Sequence, residues 1–177
     1  MFLCKLFRRK ARSNAILGIK QFIPEEVCLK CQGCCRFKET VGVWLPCILN
    51  EETAVLSKNN LPCPQDKKII PVLSEKKDIF FCPFLNREEN KCAVYRERFF
   101  DCRLYPFVIN RKQQKVYLSV DLNCVFIKDN FKSGGFEKYV EYLSGLLNSK
   151  VYLDILRSNP QIVQTYPEVT DIAELNL

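Results

Sequence analysis

The chain contains no histidine, one methionine, one tryptophan and only six glycines in 177 residues. Histidine is the usual general base near neutral pH and a frequent ligand of zinc and iron. Its absence excludes serine or cysteine triads of the usual kind, mixed Cys/His zinc fingers and facial-triad iron sites. The glycines, at 18, 33, 42, 134, 135 and 145, form no GxGxxG loop for a nucleotide cofactor. No CxxxCxxC of the radical enzymes is present, and no carboxylate pair stands out as an acid/base couple. No run approaches the ~18 uninterrupted apolar residues that a helical membrane crossing requires.

What is abundant is cysteine, 11 in all. An odd number cannot be fully paired as internal disulfides. The start, Met1-Phe2-Leu3-Cys4, is cut by Lys5 and followed by Arg8-Arg9-Lys10, so no secretory peptide is expected and a reducing cytoplasm is the expected compartment. There, clustered cysteines bind metal or do redox chemistry more often than they crosslink. An apolar fraction of 47% and a charged fraction of 27% suit a folded chain, and the length favours one domain.

The net charge of +7 is uneven: residues 1–20 carry six basic side chains and no acid, so the remainder is nearly neutral. The sequence divides into a basic N-terminal arm (1–24), a cysteine-dense domain (25–130) and a helical C-terminal segment packed on it (131–177). Phe2, Leu3, Leu6 and Phe7 can share one face of a helix in the arm, which suits contact with an anionic lipid surface or nucleic acid; a solvated terminal tail and an organelle presequence are the competing readings.

Along the middle, Pro24-Glu25-Glu26 opens a helical turn running into Cys28. Val41–Leu45 reads as a short strand closed by Pro46, and Asn50-Glu51-Glu52 as a helix start. Residues 58–68 read as a loop. Ile79–Cys82 and Cys92–Tyr95 read as a hairpin turning through 86–90, residues 96–103 as helical, and 114–120 as a strand with Val116, Leu118 and Val120 on one face. After Gly134-Gly135, apolar residues recur at Phe136, Tyr139, Val140, Leu143, Leu146 and Leu147, the spacing of an amphipathic helix. A shorter helix follows over 151–156, and the tail beyond Pro167 reads as a short helix or frayed. The expected fold class is α+β: a small, irregular, metal-organised cysteine core with short antiparallel strands and peripheral helices.

Four cysteines fall within eight residues, Cys28, Cys31, Cys34 and Cys35; Cys82, Cys92 and Cys102 follow at steps of ten, and then Cys124. Two residues between cysteines let the chain curl so that both sulfurs face one centre. A CxxCxxC run wraps three corners of a cubane, and Cys82, followed by Pro83, is available as a remote fourth ligand. Adjacent side chains diverge, so the Cys34-Cys35 doublet points to a polynuclear cluster or two neighbouring centres. Four thiolates on Zn²⁺ or on a [4Fe–4S]²⁺ core leave a net charge of −2. Lys30, Arg36, Lys38, Arg96, Arg98 and Arg103 could offset that charge, although solvation explains each one singly. A redox CxxC dithiol is the competing reading, but no βαβ setting accompanies it. Cys4, Cys47 and Cys63 lie outside the pattern and read as buried small side chains.

The run Cys28-x2-Cys31-x2-Cys34-Cys35, with Cys82-Pro83-Phe84-Leu85, Cys92-Ala93-Val94-Tyr95, Arg98, Cys102-Arg103 and Tyr105-Pro106-Phe107, resembles the CxxCxxCC (YkgJ-type) cysteine-cluster family over about residues 28–124. Phe99 stands where that family usually has proline, and Val125-Phe126 where Pro-Gly is common. The resemblance implies zinc or iron chelation by Cys28, Cys31, Cys34, Cys35, Cys82, Cys92, Cys102 and Cys124. It extends to the flagellin lysine methylases. The expected cofactor is an iron–sulfur cluster in preference to Zn²⁺. Its role would be electron transfer, redox sensing or metal handling, with a methylase-like enzyme or a structural zinc module binding an anionic partner as alternatives. Since a structural metal can supply ~10–16 kcal/mol, the middle of the chain is expected to depend on it for folding.

Overall fold

The computed structural model describes residues 18–31, 33–62, 64–74 and 79–177. The basic arm up to residue 17, with Cys4, and also Cys63 lie outside the described residues. The chain forms an α+β fold of helices and mostly short antiparallel strands. Among the described residues, no helix is long and apolar enough to cross a membrane.

The framework is a four-stranded sheet. Strands β6 (Phe107–Lys112) and β7 (Lys115–Val120) form an antiparallel hairpin whose turn residue Gln113 sits at φ 57°. Val116, Leu118 and Val120 are buried, as their alternation predicts. Strand β6 is buried at Phe107, Val108, Ile109 and Asn110 in succession, so it has no alternation to read. Strand β8 (Val163–Gln164) joins β6 in parallel, the one departure from the antiparallel expectation among the described pairings. The tail beyond Pro167 is neither helical nor frayed: strand β9 (Thr170–Leu175) pairs with β7, whose free edge it covers. Asp171 fixes this pairing by accepting from Ser119 Oγ at 2.7 Å and Asn110 Nδ2 at 3.0 Å.

Helix α5 (Gly134–Leu147) packs on the sheet through Phe136, Leu143 and Leu147, and its N-cap Ser133 accepts from the Phe136 N–H at 3.2 Å. Helix α6 (Lys150–Ser158) follows and buries Tyr152, Ile155 and Leu156. Residues 18–23 dock across α5: Tyr142 Oη donates to the Gly18 carbonyl and Tyr139 Oη to the Lys20 carbonyl. Phe22 enters an aromatic group with Phe107, Phe126, Phe136 and Tyr139.

Around this framework the chain is irregular. Helix α1 (Glu25–Cys31) begins as expected behind Pro24, and α2 (Thr53–Lys58) continues a 3-10 turn over Asn50–Glu52. Strands β1 (Arg36–Phe37), β2 (Val72–Leu73) and β3 (Phe80–Phe81) make a small antiparallel sheet with β3 in the centre. The hairpin turning through 86–90 is present, but its arms are β4 (Leu85–Asn86) and β5 (Lys91–Cys92). β3 is drawn away to β1 and β2. Val41–Leu45 is a turn, not a strand. Its carbonyls are taken by side chains: Lys68 Nζ donates to the Gly42 carbonyl at 2.7 Å and Gln164 Nε2 to that of Val43 at 3.3 Å. The expected helix over 96–103 is broken: a 3-10 turn covers Tyr95–Glu97, Arg98 and Phe99 are extended, and helix α3 is Phe100–Leu104. Helix α4 (Val125–Asn130) completes the elements.

Glu52 locks α3 to the preceding layer, accepting from the Leu49 N–H at 3.0 Å and the Phe100 N–H at 2.5 Å. Burial raises its pKa from 4.5 to about 8, against the lowering effect of those two N–H groups. Because the folded-state value is raised, the protonated form is favoured in the fold. That stabilisation is complete below the unfolded value and is lost as pH climbs through about 8. Urea midpoints should therefore fall between about pH 5 and about pH 8.5, and Glu52→Gln should flatten this slope. Equal slopes in both proteins would refute the assignment.

Candidate metal centre

The eight candidate cysteines arise from six short elements, and backbone pairing decides where each one goes. Helix α1 carries Cys28 and Cys31 three residues apart, on one face. A 3-10 turn, Gly33–Cys35, brings the doublet immediately behind them. The pairing of β1 with β3 sets Arg36 opposite Phe81, and the Cys82 N–H donates to the Cys35 carbonyl at 2.9 Å. Cys82 is thereby fixed beside the doublet although 47 positions separate Cys82 from Cys35. The chain then turns at once, with the Leu85 N–H donating to the Cys82 carbonyl, and β5 returns with Cys92 in register with Leu85. Cys102 sits on α3, whose neighbour Asp101 accepts from the Cys47 N–H at 2.8 Å. Cys124 is the residue preceding α4.

These pairings gather the thiols around two adjoining cavities. The first, about 420 Å³, is lined by Cys28, Cys34, Cys35, Cys82, Cys92 and Cys102. The second, about 400 Å³, is lined by Cys28, Cys31, Cys34, Cys102 and Cys124. Every candidate cysteine thus faces one cavity or the other, and Cys28, Cys34 and Cys102 face both. Among the described residues, no three histidine, cysteine, aspartate or glutamate side chains are arranged to hold a metal ion. The thiols line shared space without closing on one point. Cys47, outside the motif, is fully buried and bonded elsewhere: its Sγ donates to the Gln161 carbonyl and accepts from Gln164 Nε2, both at 3.1 Å.

The electrostatics are those of crowded thiols. The thiols of Cys28, Cys34 and Cys35 act on one another in sequence. The bond to Cys34, then burial, pushes the Cys28 thiol far up, against the pull of Arg98. For Cys34 the bond with Cys28 works downward, but its bond with Cys35 and desolvation outweigh it, leaving the group at about 12. Cys34 is exposed as a residue, so its thiol neighbours matter as much as its burial. Burial raises Cys82 to about 12 and also raises Cys92, Cys102 and Cys124. Burial and crowding thus favour the neutral thiol at Cys28, Cys34, Cys82, Cys92, Cys102 and Cys124.

Of the six bases that could offset a centre's charge, Lys30, Arg36, Lys38 and Arg96 are exposed and Arg103 is half-buried. Arg98 alone of the six is buried, at 9% exposure, and its Nη1 donates to Cys28 Sγ at 3.7 Å. Its plane lies 4.0 Å over the Tyr95 ring, and Nη2 donates to Gln21 Oε1, which also accepts from Tyr95 Oη. Its buried Nε has no partner among the described residues.

Asp121 and Asn123 escaped the reading of the sequence, and Tyr105 entered it only as a landmark of the resemblance, with no role at the site. All three line the first cavity, and Tyr105 and Asn123 also line the second. Tyr105 Oη donates to Asp121 Oδ2 at 2.8 Å, and Asp121 Oδ1 accepts from the Asn123 N–H at 2.9 Å. This Asx turn delivers Cys124 to the start of α4, and the Asp-Leu-Asn-Cys order was the signal for it. No family model matches this chain, and no curated protein or solved structure matches it either.

Proposed function

We propose that the protein holds a metal centre through cysteine thiolates, an iron–sulfur cluster in preference to zinc, and serves electron transfer, redox sensing or metal handling in a reducing compartment such as the cytoplasm. One observation carries this: six cysteines spread from Cys28 to Cys102 line a single cavity. Close-packed neutral thiols gain little by being buried together, whereas thiolates around a cation convert the same crowding into bonds.

The residues suit such a group. The donor set is sulfur throughout, as soft metals require. The unpartnered Nε of Arg98, together with its Nη1 on Cys28, presents positive charge where four thiolates would leave an anionic centre. Cys28, Cys34, Cys35, Cys82, Cys92 and Cys102, which line the first cavity, would supply the thiolates, with Cys31 and Cys124 beside them in the second. The resemblance of the Cys28–Cys35 run to zinc- and iron-chelating domains points the same way. When bound, a cluster supplies one-electron chemistry; the chain supplies charge compensation through Arg98 and partial exclusion of water.

Metal and acid-labile sulfide analysis of protein purified without oxygen tests this. Stoichiometric iron and sulfide, with absorbance near ~400 nm bleached by dithionite, is the expected result. Stoichiometric zinc in colourless protein would move the function to a structural or metal-handling role. Neither metal would overturn the proposal.

A further inference from the structure

We propose that Arg98 is the positioning residue that governs the reactivity of the Cys28 sulfur in the metal-loaded protein, by donating to that sulfur and holding a fixed guanidinium charge against it. This rests on the metal-centre proposal and adds a role that the cysteine pattern does not contain.

Three observations single out Arg98. It is buried, whereas the other bases of the motif reach solvent to a greater extent. Its orientation is set from two sides, by Gln21 Oε1 on one nitrogen and by the Tyr95 ring beneath its plane. The nitrogen left over on the opposite branch points to Cys28 Sγ. The helix break at Arg98 and Phe99 is what makes this possible. Both residues take extended ψ values, near 150°, so Phe99 packs on Phe84 while Arg98 reaches α1. A continuous helix over 96–103 would direct the side chain elsewhere.

A metal-bound thiolate keeps lone pairs that can attack electrophiles, and a charge-assisted N–H donor occupies one of them. Outer-sphere donors of this kind tune a ligand without binding the metal. A guanidinium fork suits the task, since it cannot lose its proton and can serve Gln21 and Cys28 at once.

The test is alkylation of the metal-loaded protein by iodoacetamide, read at Cys28 by peptide mass spectrometry, with metal content measured on the same samples. Arg98→Gln should raise the Cys28 rate about fivefold, the factor that one hydrogen bond of ordinary net strength is worth. Arg98→Lys, which keeps the charge but not the fork, should fall between the two. The rate at Cys47 should not change. Unchanged Cys28 labelling in Arg98→Gln with metal retained overturns the inference and leaves the metal centre standing. Wild-type protein without metal overturns both. If Arg98→Gln sheds its metal, the metal-loaded Lys variant decides: a Cys28 rate above that of wild type supports the role and a wild-type rate refutes it.

Discussion

Metal removal under reducing conditions is expected to loosen residues 25–37 and 80–99 while the sheet of β6, β7 and β9 keeps its amide protection. The two regions are held by different means. The sheet and helices α5 and α6 share the larger core, which includes Phe100, Leu104, Leu118, Leu143 and Leu147. The cysteine region has a smaller satellite core containing Ile48, Leu56, Ile69, Phe84, Val94 and Phe99, and Cys82, Cys92 and Cys102 pack directly on it. Its strands are two residues long, too short to persist alone. A structural metal contributes ~10–16 kcal/mol, comparable to the ~5–15 kcal/mol net stability of a whole domain. Hydrogen exchange before and after chelation reads the difference segment by segment. An identical exchange map in verified metal-free protein would contradict the dependence.

The second large effect is at Cys34. It lines both cavities, between Cys28 and Cys35. Cys34→Ser should lower metal affinity by more than about a hundredfold, beyond what loss of an outer-shell partner alone produces. Cys47→Ala is the control. Cys47 is buried more completely than the other described cysteines, but its sulfur bonds to Gln161 and Gln164. Its loss should cost about 1–3 kcal/mol of stability, through a small void and a stranded amide, and leave the metal in place. Equal metal loss in both variants would mean that general destabilisation governs retention.

How much of this was readable in advance depended on the range of the forces involved. Helix α5 was legible because its stripe from Phe136 to Leu147 is local periodicity, and β7 because Val116, Leu118 and Val120 alternate. Strand β6 was hidden by burial on both faces, and β9 by having only an edge of β7 to specify it. Val41–Leu45 has strand composition, yet Lys68 and Gln164 take its carbonyls from distant positions. The cysteine spacing named the eight cysteines that line the two cavities. It could not select Arg98 from six bases, since that choice depends on a helix break and on Gln21, far away in sequence. Glu52 read only as a dipole-favouring acid at a helix start, because its contact with Phe100 crosses 48 positions.

The central claim is that sulfurs from remote segments share one metal centre, and X-ray absorption at the metal edge of anaerobically purified protein tests it most directly. The account predicts a first shell of sulfur alone, at about 2.3 Å for either zinc or iron. A shell containing nitrogen or oxygen donors in the majority, or no bound metal to excite, would contradict it.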